Sequence, residues 1–188
     1  MSQGPRHIHS MDQLPFLGGR LCLDFVNTAN WREGIALDER LTDVEALSIW
    51  SERQGLIAEP CLTGDIAEAL RFRALLRRCF VAAEGANAED LAAMDAVRRL
   101  PSTLVLGSDG RYRLAGTEVG GVLSLVAQSA AEVLLTGTQR QLKACPGEDC
   151  GWLFLDESPS SRRRWCSMAI CGNRAKARRH YTYSKNKL

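Results

Sequence analysis

The spacing of apolar residues changes several times along the chain, and each change marks an element. Leu17 to Thr28 (LGGRLCLDFVNT) is apolar enough to be buried on more than one face. Such a run suits a strand or a helix; Leu21, Phe25 and Thr28 repeat at helical spacing and favour the helix, which passes into the polar run Asn27 to Glu33. Thr42 and Glu45 form a T-x-x-E capping box, Val44, Leu47, Ile49, Trp50 and Leu56 follow, and Gly55 supplies a stop, predicting a helix of about three turns. From Asp65 to Glu84, Ile66, Ala69, Leu70, Leu75, Leu76, Cys79 and Phe80 trace a stripe, with Arg71, Arg73, Arg77 and Arg78 assigned to other positions. Asn87 caps a shorter helix through Leu100, which Pro101 ends, and Asp90 complements its dipole. The period then falls to two: Thr103–Leu106 and Arg111–Leu114 flank Ser108-Asp109-Gly110, the signature of a β-hairpin. A last apolar helix is expected from Glu118 to Thr136, stopping at Gly137.

Composition adds little until it is divided. The chain has 188 residues, 45% of them hydrophobic and 24% charged, enough apolar matter for one ordinary domain plus a small module. Its formal charge is +2. That balance excludes a uniformly basic coat protein, but it conceals an asymmetry. Residues 1–139 carry 13 basic and 18 acidic side chains, whereas residues 140–188 carry 11 and 4. All four lysines, Lys143, Lys176, Lys185 and Lys187, lie in the second part. An acidic body with a basic tail points to a polyanion partner for the tail, the plainer reading being a solvated basic end. The expected organisation is a flexible start (residues 1–16), a helical domain (17–139) and a C-terminal module (140–188). Met1 to Met11 has no signal-like apolar core, and no stretch reaches the roughly 18–20 apolar residues of a membrane span. A soluble, cytoplasmic protein with reduced thiols is therefore expected, and no membrane partner.

The body offers little chemistry. Asp24, Asn27, Asp38 and Arg40 lie close in sequence and could line a small-ligand pocket, but Asp and Asn near element ends more often cap or turn the chain. Histidine is confined to His7, His9 and His180, a poor supply of catalytic base. Neither a Walker loop nor a dinucleotide fingerprint occurs, so the chain is read as a non-enzyme with no catalytic residues. Cys22, Cys61 and Cys79 lack paired spacing and read as core packing.

The other four cysteines are different. Cys145, Cys150, Cys166 and Cys171 read C-x4-C, fifteen residues, C-x4-C, two pairs on either side of a hairpin-length spacer. Four soft thiolates suit one structural, tetrahedral Zn2+; an iron–sulfur cluster, disulfides or free thiols are the alternatives. With every position filled by cysteine no site remains for a reactive water. Trp152–Leu155 is a natural strand to cover the metal, and a module of 49 residues needs the metal's folding energy. The whole chain then reads as mainly α (α+β): a helical body with a small β-hairpin, plus a treble-clef-like or ribbon-like zinc module.

Around the second pair the chemistry turns to charge. Arg162, Arg163 and Arg164 precede Cys166; Asn173, Arg174, Lys176, Arg178 and Arg179 follow Cys171 on a predicted helix that starts near the metal. Guanidinium groups fork onto phosphate or guanine and Asn pairs with adenine; Tyr181 and Tyr183 are available to stack on bases, as is Trp165, for which packing against the zinc module is the favoured role. Tetrathiolate zinc carries −2, leaving the tail at about +5.

WCSMAICGNRAKARRH (Trp165–His180), with Cys171-Gly172-Asn173-Arg174 as the naming motif, resembles the CGNR zinc-finger family, and CPGEDCGWLFLDESPSSRRRWC matches the rest of that finger. LGGRLCLDFVNT and DERLTDVEALSIWSERQGL resemble the ABATE domain that accompanies it. The resemblance implies a stress-induced, DNA-binding transcription regulator with zinc ligands at Cys145, Cys150, Cys166 and Cys171. It places DNA contacts on Arg162, Arg163, Arg164, Asn173, Arg174, Lys176, Arg178 and Arg179. It names no effector for the body, which is expected to sense a small molecule or to dimerise so that two fingers read two half-sites. RNA binding through the same charges and a zinc/thiol interaction or redox module are the other readings.

Overall fold

The computed structural model describes residues 10–81 and 86–185, side chains of 139 and 183–185 excepted. Helix α1 (Leu21–Val26) forms where the apolar run favoured helix. Helix α2 (Val44–Arg53) starts one residue later than the capping box predicts: Asp43, with extended backbone, accepts from Ala46 N at 2.8 Å, and Thr42 donates to the Asp43 carboxylate instead. Helix α3 (Ile66–Val81) is followed by α4 (Ala88–Arg98), capped by Asn87 as expected. The predicted end of α3 at Glu84 lies outside the described residues, as do His7 and His9 and the Tyr183 side chain. Helix α5 (Val119–Leu135) crosses the centre of the body.

Two antiparallel pairs belong to the body. Strands β1 (Asn30–Arg32) and β2 (Ile35–Leu37) form a hairpin absent from the sequence reading, which took Asn27–Glu33 as a polar exit from the helix. Glu33 and Gly34 both have positive φ (49° and 81°), the conformation of a two-residue hairpin turn without its usual Asn-Gly signal. Strands β3 (Leu104–Leu106) and β4 (Tyr112–Leu114) form the predicted hairpin. A third pair, β5 (Leu142–Ala144) with β6 (Leu153–Leu155), carries the C-terminal module, and α6 (Asn173–Lys185) ends it.

Three expectations are corrected by packing. Within the start assigned to flexible chain, Met11 and Leu14 are buried and their carbonyls accept from the Arg53 guanidinium, so the chain is tied to α2 from this point. Cys61, read as core, is exposed. Arg73 and Arg77, read as lying off the α3 stripe, are only 2% and 8% exposed. They lie one turn apart on the buried face with Ala69, Phe72, Leu75 and Leu76, and burial is tolerated because each charge is partnered: Arg73 with Glu39 and the Thr28 hydroxyl, Arg77 with the Gly151 carbonyl at 2.8 Å.

Body and tail share one apolar core that runs from Leu14 through Phe25, Trp50 and Val126 to Trp152, Phe154 and the cysteines. Among the described residues no helix is long and apolar enough to cross a membrane.

Candidate metal centre

Strand β5 leads into Cys145, and the Cys145 N–H donates to the Trp152 carbonyl at 2.8 Å, zipping the first cysteine loop onto the hairpin. Within that loop the Cys150 N–H donates to Gly147 O at 3.1 Å. A Cβ on Gly147 would lie 3.0 Å from the Cys171 sulfur, so glycine lets the loop close over the ligand set. The second pair is spaced by a wider turn. Ser167 O accepts from both Cys171 and Gly172, giving the π-type turn Met168–Gly172, and α6 continues from it without a break.

The four sulfurs lie within 4.8 Å of one another and all four residues are buried. Cys150 Sγ is 3.6 Å from Cys166 Sγ, which is 3.7 Å from Cys171 Sγ. A tetrahedron with metal–sulfur arms of about 2.3 Å has edges of about 3.8 Å, so the spacing fits a tetrathiolate centre, and no cysteine is in a disulfide. Unmetallated thiols at these distances perturb one another: hydrogen bonding from Cys150 pulls Cys145 down, and hydrogen bonding to Cys145 pushes Cys150 and Cys166 up.

The body supplies the surroundings of this site. Trp31 N–H donates to Cys150 O at 2.9 Å, and Arg77 to Gly151 O, so both carbonyls beside the second ligand are held from outside the finger. Gly151 has φ +59°, and a Cβ there would come within 2.3 Å of Trp31 O. Arg77 stacks on the Trp31 ring at 4.7 Å and Arg40 over Trp152 at 6.0 Å. Burial draws the Arg77 pKa down to about 10 and lowers that of Arg40, while the Cys150 sulfur acts on both in the opposite direction. Two buried guanidiniums thus face a cluster that carries −2 when metallated.

Asn27 is the main fastener. Its amide donates to Leu153 O and accepts from Leu153 N, both at 2.8 Å. In the β5–β6 register, Cys145–Trp152 and Gln141–Asp156 are joined by backbone bonds, so Leu153 turns its N–H and C=O away from β5. Asn27 takes the place of a neighbouring strand, and Gly18 O continues it by accepting from Leu155 N at 3.0 Å. Asn30 Oδ1 accepts from the Trp152 indole at 2.9 Å. At the rim, Arg20 pairs with Glu157 and Arg32 with Asp149. Asp24, by contrast, accepts from Gly18 N at 2.8 Å, and burial pushes its carboxyl up to about 6.

Asp156, 2% exposed, organises the loop between the cysteine pairs: it receives Lys143 Nζ, the Ser158 hydroxyl and the Arg163 N–H. The ammonium of Lys143 and the Ser158 hydroxyl hold the Asp156 carboxyl down at about 2. The predicted nucleic-acid residues then separate into two groups. Arg163 points inward, donating to the carbonyls of Leu17, Leu155, Trp165 and Cys166 and stacking on Phe154 at 4.4 Å. Arg162, Arg164, Lys176 and Arg179 are exposed, Arg164 lying over the Trp165 ring at 5.2 Å. Arg174 is half-buried at a groove beside the metal site, Arg178 pairs with Glu148, and exposed Asn173 donates to Ala169 O. Asn27, Asn30, Arg40 and Arg77 were not assigned to the metal site from sequence; two charges on the buried face of α3 were the available signal.

A family model described as "CGNR zinc finger" matches residues 141–182, and the ABATE model, described as "Putative stress-induced transcription regulator", matches residues 19–137. No curated protein matches the chain. With the ABATE match covering well over half of its length and the CGNR match containing all four clustered cysteines, the chain belongs to the ABATE family and ends in a CGNR zinc finger.

Proposed function

We propose that the protein is a zinc-dependent regulator whose finger binds duplex DNA. The observation that carries this reading is α6: it starts two residues after the last cysteine, contains Arg174, Lys176, Arg178, Arg179 and Lys185, and has no acidic residue along its 13 residues. Thirteen residues at 1.5 Å each give about 20 Å of helix, long enough to lie in a major groove and to set base-reading side chains beside phosphate-binding ones. Zinc is the ion proposed, because four buried thiolates at tetrahedral spacing are its structural ligand set. In this reading Cys145, Cys150, Cys166 and Cys171 bind zinc; Arg162, Arg164, Asn173, Arg174, Lys176, Arg178 and Arg179 face DNA; Arg163 holds the finger in shape. The body is a regulatory, non-catalytic domain that transmits an effector or a dimer contact to the finger.

The test is binding of the full chain to duplex DNA, structured RNA and heparin across salt, with and without chelator. Neutralising about 4–6 phosphates predicts a log–log salt slope near −4 to −5, and chelation should abolish binding. Salt-independent affinity or undiminished binding by the zinc-free protein overturns the reading. A preference for structured RNA would favour the second reading, for which the 69% exposure of Tyr181, available to stack on an unpaired base, is the supporting observation.

A further inference from the structure

The first cysteine loop and the first turns of α6 flank a groove of about 270 Å3 lined by Pro146, Glu148, Trp165, Arg174, Arg178 and, at its floor toward the metal site, Cys171. It lies just below the range of small-molecule pockets, about 300–1,000 Å3, so it suits a compact group better than an organic effector. Its chemistry is that of an anion seat. Two arginines one helical turn apart line one side, and the half-buried Trp165 gives an apolar wall. An anion already sits in it: the carboxylate of Glu148 is paired with Arg178, both side chains remaining about half exposed. Glu148 is one of four acidic residues in the whole of residues 140–188.

We propose that this groove is a phosphodiester subsite of the finger and that Glu148 occupies it in the free protein as an internal competitor. The inference rests on the nucleic-acid reading above and adds to it a named seat, a named occupant and a consequence. A phosphate entering the groove displaces the Glu148 carboxylate from Arg178, and the released carboxylate swings into solvent on an exposed loop. Glu148 therefore lowers affinity for any polyanion that lacks further contacts to offset the lost ion pair, and it reduces the number of phosphates the free finger engages. No bond is made or broken; one ion pair replaces another.

The experiment uses the zinc-loaded full chain and Glu148→Gln, with Glu157→Gln as a control that removes the same charge from the rim pair with Arg20. In the first arm inorganic phosphate is titrated at constant ionic strength while the Arg174 and Arg178 Nε–H and Trp165 indole resonances are followed. Saturable shifts are expected in Glu148→Gln, weaker ones in the parent and in Glu157→Gln, and none in Glu148→Gln combined with Arg178→Ala. In the second arm duplex DNA affinity should rise about twofold to fivefold in Glu148→Gln at low salt, with a slope steeper by about 0.9, one further phosphate. Arg178→Ala should cost more in the Glu148→Gln background than in the parent. Equal gains from Glu148→Gln and Glu157→Gln, or phosphate shifts that survive loss of Arg178, overturn the proposal. Failure of every form to bind DNA overturns the nucleic-acid reading, and the phosphate arm still decides the groove. Unchanged zinc content and melting temperature in Glu148→Gln establish that the fold is intact.

Discussion

Replacing Asn27 by Ala tests whether the finger is fastened to the body or merely tethered to it. The amide makes two 2.8 Å hydrogen bonds to Leu153, whose N–H and C=O have no partner on β5. Alanine leaves both backbone groups buried against α1, where water cannot reach them without opening the seam. Each orphaned group costs about 1–3 kcal/mol, so the pair should cost about 2–6 kcal/mol, with about 4 as the central expectation. For a chain of this size that corresponds to a fall in Tm of roughly 8–16 °C. Asn27→Asp is an informative companion: it keeps the acceptor for Leu153 N, loses the donor to Leu153 O and buries a charge, and should be no better than alanine. The assay is thermal and urea unfolding of the metal-loaded protein, paired with the rate at which a chelator removes the metal. A single transition shifted downward, together with faster metal release, is expected, because the ligand-bearing hairpin loses its third edge. A loss below about 1 kcal/mol, or a destabilised body with unchanged metal release, would refute the argument.

Other substitutions probe separate parts of the same construction. Asp24 has its pKa raised to about 6 by burial, so the folded state is disfavoured as pH rises from about 4 to 6, and the penalty levels off near 3 kcal/mol above that. Asp24→Asn keeps an acceptor for Gly18 N; its advantage over the parent in urea unfolding should grow from about 1 kcal/mol at pH 4.5 to about 3 at pH 7.5, and a pH-independent difference would contradict the buried-charge account. Arg163→Ala removes four carbonyl partners and the Phe154 stack and should cost at least about 3 kcal/mol, whereas exposed Arg162→Ala should stay within about 0.5 kcal/mol in the same melt. Equal effects would mean that Arg163 is not structural. Gly151→Ala sets a Cβ against Trp31 O at a left-handed φ and should cost more than about 2 kcal/mol and loosen the metal; full stability would show that the close approach can relax.

Local signals made much of this legible. Asn87, the Asp109-Gly110 turn and Gly137 each act within a few residues, and the elements they delimit form where expected. The cysteine spacing was equally readable, because metal geometry constrains sequence intervals as well as distances. What escaped depends on the body–finger seam. Glu33-Gly34 turns a hairpin without the usual Asn-Gly pair, and that hairpin brings Trp31 to Cys150. Asp24 and Asn27, neighbours in one motif, have different tasks: one closes a loop within the body, the other pairs with a strand 126 residues away. Arg73 and Arg77 were placed off the stripe because a stripe is scored by apolarity, while a guanidinium stays inside when carbonyls, carboxylates and indole faces receive it. Arg163 was counted with its neighbours for a similar reason, since sequence shows charge and not direction.

The carbonyls of Cys150 and Gly151, gripped by Trp31 and Arg77, have a thermodynamic consequence. A metal that needs the body to hold its second ligand loop reads the state of the body, and the reading is reciprocal. Any small molecule or partner that binds the body α times more tightly when the metal is present must, by linkage, raise metal affinity by the same factor α. A tenfold bias is about 1.4 kcal/mol, less than the expected cost of losing Asn27 alone, so the seam holds enough interaction energy to support a tenfold change in metal affinity.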